Sequence, residues 1–219
     1  MTLELDLYWS VRSPYSYLVT GRLHKLQREH DLRITVRPVY PHAVRDRTLA
    51  ASRGPLWVSY FRTDIVRMAQ FLGLPIGWPR PDPVVSDPVT GVALDLQDQP
   101  LLRMITHTVQ AAEQAGRGID YIHALTQVMW NPQAPEWTAP GILDGVASAA
   151  GLEPGALRAR VESDADALEA AVQGHDGAAK AAGHWGVPLM VFRGEPFFGQ
   201  DRFDVLVWRL KQAGLSLRP

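Results

Sequence analysis

Leu3, Leu5 and Leu7 alternate with Glu4 and Asp6, the two-residue period of a strand with one polar face. Tyr8, Trp9 and Val11 extend this strand up to Ser13-Pro14, where the pattern changes to a helical one. Serine is a favoured N-cap because its hydroxyl oxygen accepts from an unpaired first-turn N–H. Proline suits the first helical position because the N–H it lacks would have no helical partner there. Leu18, Leu23 and Leu26 then supply the apolar stripe of a helix that runs to about His30, and a short second strand follows over 33–39. Two strands joined by a helical crossover are predicted to lie parallel.

Beyond Pro41 the character changes. Helical patterns cover 55–72, 101–116, 119–130, 140–151 and 164–183. After the first of these, the proline-rich stretch 75–83 can neither continue a helix nor sit in a central strand. Its Ile76 and Trp78, with Val84 and Val85 just beyond, predict an ordered loop packed on the body and walling a pocket. Near the end, Pro188–Phe192 and Glu195–Phe198 flank the turn Arg193-Gly194, and Phe203, Leu206, Val207 and Leu210 mark a last helix that Gly214 stops. The order β-α-β, helical insertion, β-β-α is that of a thioredoxin-like domain interrupted by a large all-helical insertion, an α/β fold class. Residues 1–45 and 184–219 are expected to form the discontinuous thioredoxin-like domain, and 46–183 the helical insertion domain.

Composition changes this picture at one point. Among 219 residues there is no cysteine, so the chain has neither structural disulfides nor a dithiol. At the turn from first strand to first helix, where Cys-x-x-Cys would make a disulfide oxidoreductase through a thiol of depressed pKa, the chain has Ser13-Pro14-Tyr15-Ser16. The helix N-terminus still favours an anion, so the thiolate is expected to arrive on a ligand. A formal net charge of -1 gives no basic footprint for nucleic acid. The acidic start and the lack of a long apolar run lead us to expect a cytoplasmic protein with no membrane partner. The seven histidines show no metal-ligand spacing, and there is no glycine-rich phosphate loop, so neither a metal nor a nucleotide is expected.

Three segments, Ser13-Pro14-Tyr15-Ser16-Tyr17-Leu18, Gly186-Val187-Pro188 and Phe198-Gly199-Gln200-Asp201-Arg202, together resemble the glutathione-dependent 2-hydroxychromene-2-carboxylate isomerases and the kappa-class glutathione transferases, in the DsbA-like branch of the thioredoxin fold. The stretch from Tyr60 to Pro75, and Trp130, extend the resemblance over nearly the whole chain. It implies glutathione as cofactor and Ser13 as the catalytic residue whose hydroxyl favours thiolate over thiol. It implies also that Val187, before a cis Pro188, pairs its backbone with the cysteinyl backbone of glutathione. The segment Gln200, Asp201 and Arg202 would hold the γ-glutamyl end, with Asp201 toward its ammonium and Arg202 toward its carboxylate, which also makes charge sense. The implied function is isomerisation of 2-hydroxychromene-2-carboxylate, or a similar unsaturated aryl pyruvate, by reversible thiolate addition. The alternatives are a kappa-like transferase or peroxidase, and a non-catalytic glutathione- or peptide-binding module. Relatives of this kind are often homodimers.

The chain departs from that pattern in two places. Ser10 stands where the family usually has an aspartate and Arg12 where it has an apolar residue, and Ala50 to Gly54 offer no counterpart of the family's asparagine. Arg12 either adds positive charge beside the thiolate or marks a different ligand. Arg12, Arg53 and Arg62 are the candidates for stabilising an enolate-like charge, while Arg12, Tyr15, Trp57 and Trp78 are candidates to line an aromatic substrate pocket. Each of these residues also has a plain structural role: Ser13 as a helix cap, Pro188 as a strand start, Asp201 as a cap beside a solvated Arg202, Tyr15 and the tryptophans as packing.

Overall fold

The computed structural model describes residues 2–218 apart from 47, 49–51, 53, 88–92 and 96–97. Its sheet has the order β2-β1-β3-β4, with β1 (Leu3–Trp9), β2 (Leu32–Pro38), β3 (Leu189–Phe192) and β4 (Glu195–Phe198). β1 pairs parallel with β2, Leu3 opposite Leu32, and antiparallel with β3, Tyr8 opposite Leu189. Among the described residues the named helices are α1 (Pro14–Glu29), α2 (His42–Arg45), α3 (Pro55–Leu72), α4 (Pro100–Gln114), α5 (Gly118–Met129), α6 (Ile142–Ala149), α7 (Pro154–Ser163), α8 (Ala165–Ala181) and α9 (Phe203–Gln212), the last preceded by a 3₁₀ turn over Gln200–Arg202.

The alternation along β1 sorts its side chains between two cores. Leu3, Leu5, Leu7 and Trp9 join Leu18 and Leu23 of α1, Ile105 of α4, Leu125 of α5 and Leu168 of α8 in one continuous cluster. Tyr8 faces the other way, onto Val39, Ala179, Leu189 and Val191. The segment between β2 and β3 thus packs into the same core as the sheet. Each leucine buried there contributes about 1.5–3 kcal/mol. Trp9 Nε1 donates to Thr20 Oγ1 at 3.0 Å, and Thr20 Oγ1 donates to the Ser16 carbonyl at 2.7 Å, which fixes α1 against the end of β1.

The predicted helix over 140–151 is shorter here, and α7 is absent from the sequence reading. Its apolar signal is weak because Leu157 is its one buried residue. What starts it is local: Glu153 accepts from Gly155 N and Ala156 N, with Pro154 in the first turn.

Both margins of the sheet are blunted. On β2, Ile34 N donates to Gln27 Oε1 at 2.6 Å and Val36 N to Glu113 Oε2 at 3.0 Å, so side chains from α1 and α4 occupy donors that another strand would use. β4 is four residues long and contains Pro196, opposite Val191, which has no N–H to offer.

Burial pushes the Glu113 carboxyl up from 4.5 to about 7, against the Val36 N–H, Arg33 and Arg37, which favour its charged form. A carboxyl with a raised folded-state pKa binds its proton more tightly in the folded protein, so its contribution to stability is fully present below pH 4.5 and is lost as pH rises through 7. Glu113→Gln keeps a carbonyl acceptor for Val36 N and does not titrate. We expect it to match the wild type near pH 4.5 and to be the more stable protein at pH 8 in urea unfolding. A gap that stays constant with pH would contradict this.

Candidate functional site

Ser13 caps α1 with extended backbone (φ -93, ψ 114). Its Oγ accepts from Ser16 N at 3.2 Å, and its own N–H donates to the Ser10 carbonyl at 3.1 Å. The hydroxyl of Ser13 accepts that bond and donates to no acceptor among the described residues, so its proton can serve a ligand. No acidic residue lies in the first turn of α1, so the positive end of the helix is not neutralised from within. The hydroxyls of Ser10 and Ser16 are buried and have no hydrogen-bond partner among the described residues.

Continuing the β1–β3 register past Tyr8 and Leu189 sets Pro188 level with Trp9 and Val187 level with Ser10. The Val187–Pro188 bond is cis, as is Arg80–Pro81. Gly199 N donates to the Pro188 carbonyl at 2.9 Å, which joins this segment to the Gln200–Arg202 turn. Gly199 has φ 98 and ψ 153, a region that L side chains rarely adopt, and a Cβ there would lie 2.5 Å from Asp201 Oδ1. Gln200 is buried and receives two hydrogen bonds from Arg22 of α1, whereas Asp201 and Arg202 are exposed and pair at 3.6 Å. Ser13, Val187, Pro188, Gln200, Asp201 and Arg202 thus gather at one end of the strands, where β1 stops and β3 begins.

Tyr15 links this end of the sheet to α3. Its hydroxyl donates to Asp64 Oδ2 at 2.7 Å. Burial first, then that hydrogen bond and the charges of Asp64 and Asp201, raise its pKa above the usual tyrosine range, so it stays a neutral donor. Its ring meets Phe61 edge-on at 5.7 Å; Phe61 stacks on Trp57 at 4.9 Å and contacts Trp78 at 6.4 Å. Trp57 and Trp78 are 42% and 49% exposed, so this row offers open aromatic surface beside the N-terminus of α1. Trp78 also leans on Trp130, which stacks on Tyr17.

The proline-rich stretch packs on the body, as its apolar residues predict. Tyr17 Oη donates to the Pro75 carbonyl at 2.6 Å, Gly77 N to that of Trp130 at 2.8 Å, and Trp137 Nε1 to that of Pro81 at 2.8 Å. The same stretch supplies Asp82, whose carboxylate takes a forked contact from Arg12, Nε at 2.8 Å and Nη2 at 2.7 Å. The charge of Arg12 is therefore matched, with Nη1 left without a partner among the described residues. Arg62 is exposed on α3, and Arg53 lies outside the described residues.

Arg22, Asp64, Phe61 and Asp82 belong to this site and were not singled out from the sequence. Two cavities, of about 640 Å³ by Asp31 and Arg218 and about 460 Å³ by His24 and His123, lie elsewhere, at the far end of the sheet and farther along α1.

The family model of the DSBA-like thioredoxin domain matches residues 4–211, and the chain belongs to that family. Among solved structures it is similar to a 2-hydroxychromene-2-carboxylate isomerase, with a TM-score of 0.69 and 20% identity over 96% of each chain. It is similar also to the cytosolic disulfide reductase DsbM from Pseudomonas aeruginosa, with a TM-score of 0.64 and 17% identity over 96% of this chain and 100% of that one. DsbM has also been solved with GSH, and that structure gives a TM-score of 0.62 and 16% identity over 96% and 99% of the two chains. Comparison with curated protein sequences gives no match. At these identities the likeness is one of fold. Without cysteine, this chain cannot pass electrons through a dithiol of its own.

The geometry of α1 makes a direct prediction. A thiol placed at the Ser13 cap should titrate well below the free-cysteine value of about 8.5. Ser13→Cys, followed by thiolate absorbance against pH, is expected to give a midpoint at least about one unit lower; a midpoint at or above the free value would show that the helix end does not stabilise an anion.

Proposed function

We propose that the chain is a glutathione-dependent isomerase acting on 2-hydroxychromene-2-carboxylate or a similar unsaturated aryl pyruvate. The observation that carries this reading is the convergence of a serine-capped helix N-terminus, with no acidic residue in its first turn, with the cis Val187–Pro188 segment and the Gln200–Arg202 turn, in a chain without a thiol. The isomerase and the GSH-bound DsbM structure among its fold neighbours agree with it.

In this reading the backbone of Val187 pairs with the cysteinyl unit, Asp201 takes the ammonium, and Arg202 the carboxylate of the γ-glutamyl end. Ser13 Oγ–H and the N–H of Tyr15, the first-turn amide that Pro14 and the bonds from Ser16 N and Tyr17 N leave over, hold the thiolate, whose proton goes to solvent. In the aryl pyruvate form, which for the chromene follows opening of the hemiketal to ketone and phenol, the thiolate adds to the carbon–carbon double bond conjugated with the ketone, and the displaced electron pair moves to the carbonyl oxygen as an enolate. Rotation about the resulting single bond follows. The enolate then re-forms the double bond and expels the thiolate, so glutathione is returned. Tyr15, Trp57, Phe61 and Trp78 supply the flat surface for the aryl group, and Arg12 Nη1 is the nearest cation to Ser13 in sequence for the developing charge.

Calorimetric titration with glutathione, combined with ultraviolet difference spectra for the thiolate, tests this. Wild type should bind; Asp201→Ala should weaken binding about tenfold, the loss of one charge-assisted hydrogen bond; Ser13→Ala should bind yet lose most of the thiolate signal. Turnover of unsaturated aryl pyruvates at constant glutathione identifies the isomerase, whereas consumption of glutathione identifies a transferase or peroxidase. Absence of binding by wild type would falsify all three.

A further inference from the structure

Arg22 Nη2 donates to both oxygens of Gln200, the main-chain carbonyl at 2.8 Å and Oε1 at 2.7 Å. The guanidinium lies over the ring of Phe203, 4.7 Å from its centroid, and the charges of Asp201 and Asp204 oppose the effect of its burial. An arginine carries donors and no acceptor. The end of the buried Gln200 amide that meets it must be oxygen, so Nε2 faces the other way. Nε2 has no partner among the described residues and is not one of the polar atoms sealed from solvent.

We propose that Arg22 is a positioning residue: by holding both oxygens of Gln200 it presents the amide N–H groups of that residue to the ligand, and so makes position 200 a subsite for a carboxylate. This rests on the glutathione reading and deepens it. An α-amino acid headgroup carries an anion and a cation on one carbon. With Gln200 fixed as a donor and Asp201 as an acceptor, neighbouring residues of one turn sort those two charges. Were the amide reversed, two acceptors would stand side by side, and the carboxylate of the headgroup would have Arg202 alone.

The test compares glutathione with an analogue lacking the α-carboxylate of the γ-glutamyl residue, titrated into wild type, Arg22→Met, Arg22→Lys and Gln200→Glu. Gln200→Glu keeps the contact with Arg22 and removes both donors; Arg22→Met releases the amide. Each is expected to weaken glutathione binding about tenfold or more and to change binding of the analogue less than about twofold. Arg22→Lys, still a donor only, should restore most of the loss. The thiolate absorbance per bound glutathione should stay at the wild-type value, because Ser13 is untouched. Equal losses for both ligands, or no loss from Gln200→Glu, would overturn the proposal by reducing Arg22 to a packing role.

If wild type binds neither ligand, the glutathione reading fails, and the amide assignment is judged by unfolding alone. Gln200→Glu sets a carboxylate against Arg22, which depresses its folded-state pKa, so stability should be gained at pH 7 and lost as pH falls below about 4. In the Arg22→Met background that pH-dependent gain should vanish. Its persistence there, or its absence from Gln200→Glu alone, overturns the assignment.

Discussion

With β2 bonded on one side and β3 on the other, β1 has no freedom in where its end emerges. Trp9 is anchored to Thr20, so the chain must turn at once through Ser10 to Ser13 and enter α1 at the end of the strand. The antiparallel register of β3 brings the cis-proline segment to that same end of the sheet, and the Gly199–Pro188 hydrogen bond carries the last turn there too. Three segments that are far apart in sequence meet because one strand is paired twice.

The electrostatics of the meeting point follow from what surrounds the helix end. The positive end of α1 lacks an internal carboxylate, and Arg12 beside it is held by Asp82, so the net field that an anion meets there is set chiefly by backbone amides and the Ser13 hydroxyl. Asp64 Oδ2 accepts from Tyr15 and its Oδ1 from Tyr60 and Arg67, so the carboxylate beside the aromatic row of Tyr15, Phe61 and Trp57 is bonded rather than bare.

What could be read from the chain is what its local chemistry encodes. The alternation of Leu3, Leu5 and Leu7, the Ser13-Pro14 cap and the Arg193-Gly194 hairpin each carry their own signal, and the structure holds a strand, a helix start and a tight turn at those places. The DsbA-like branch of the fold was legible through the resemblance of the segments around Ser13, Pro188 and Asp201 to a known family, and the family model agrees. Pairings across large sequence distances had no such signal: Arg12 with Asp82, Tyr15 with Asp64, and above all Arg22 with Gln200. From the sequence Arg22 is one more polar position on a helix, and nothing nearby announces that it reaches the last turn of the chain. Helix α7 escaped because a single buried leucine gives no periodicity, and its start rests on the Glu153 cap and Pro154.

The treatment of the sheet margins has a consequence for the company the protein can keep. A strand from another chain would need free donors in line along β2, and Gln27 and Glu113 already hold two of them; along the four residues of β4 it would meet Pro196. Growth of the sheet by strand addition, the route to edge-to-edge polymers and to capture of extended peptides, is therefore opposed at both ends. A macromolecular neighbour that cannot extend the sheet meets helices, turns and loops instead, where contact depends on side-chain packing rather than on a continued ladder.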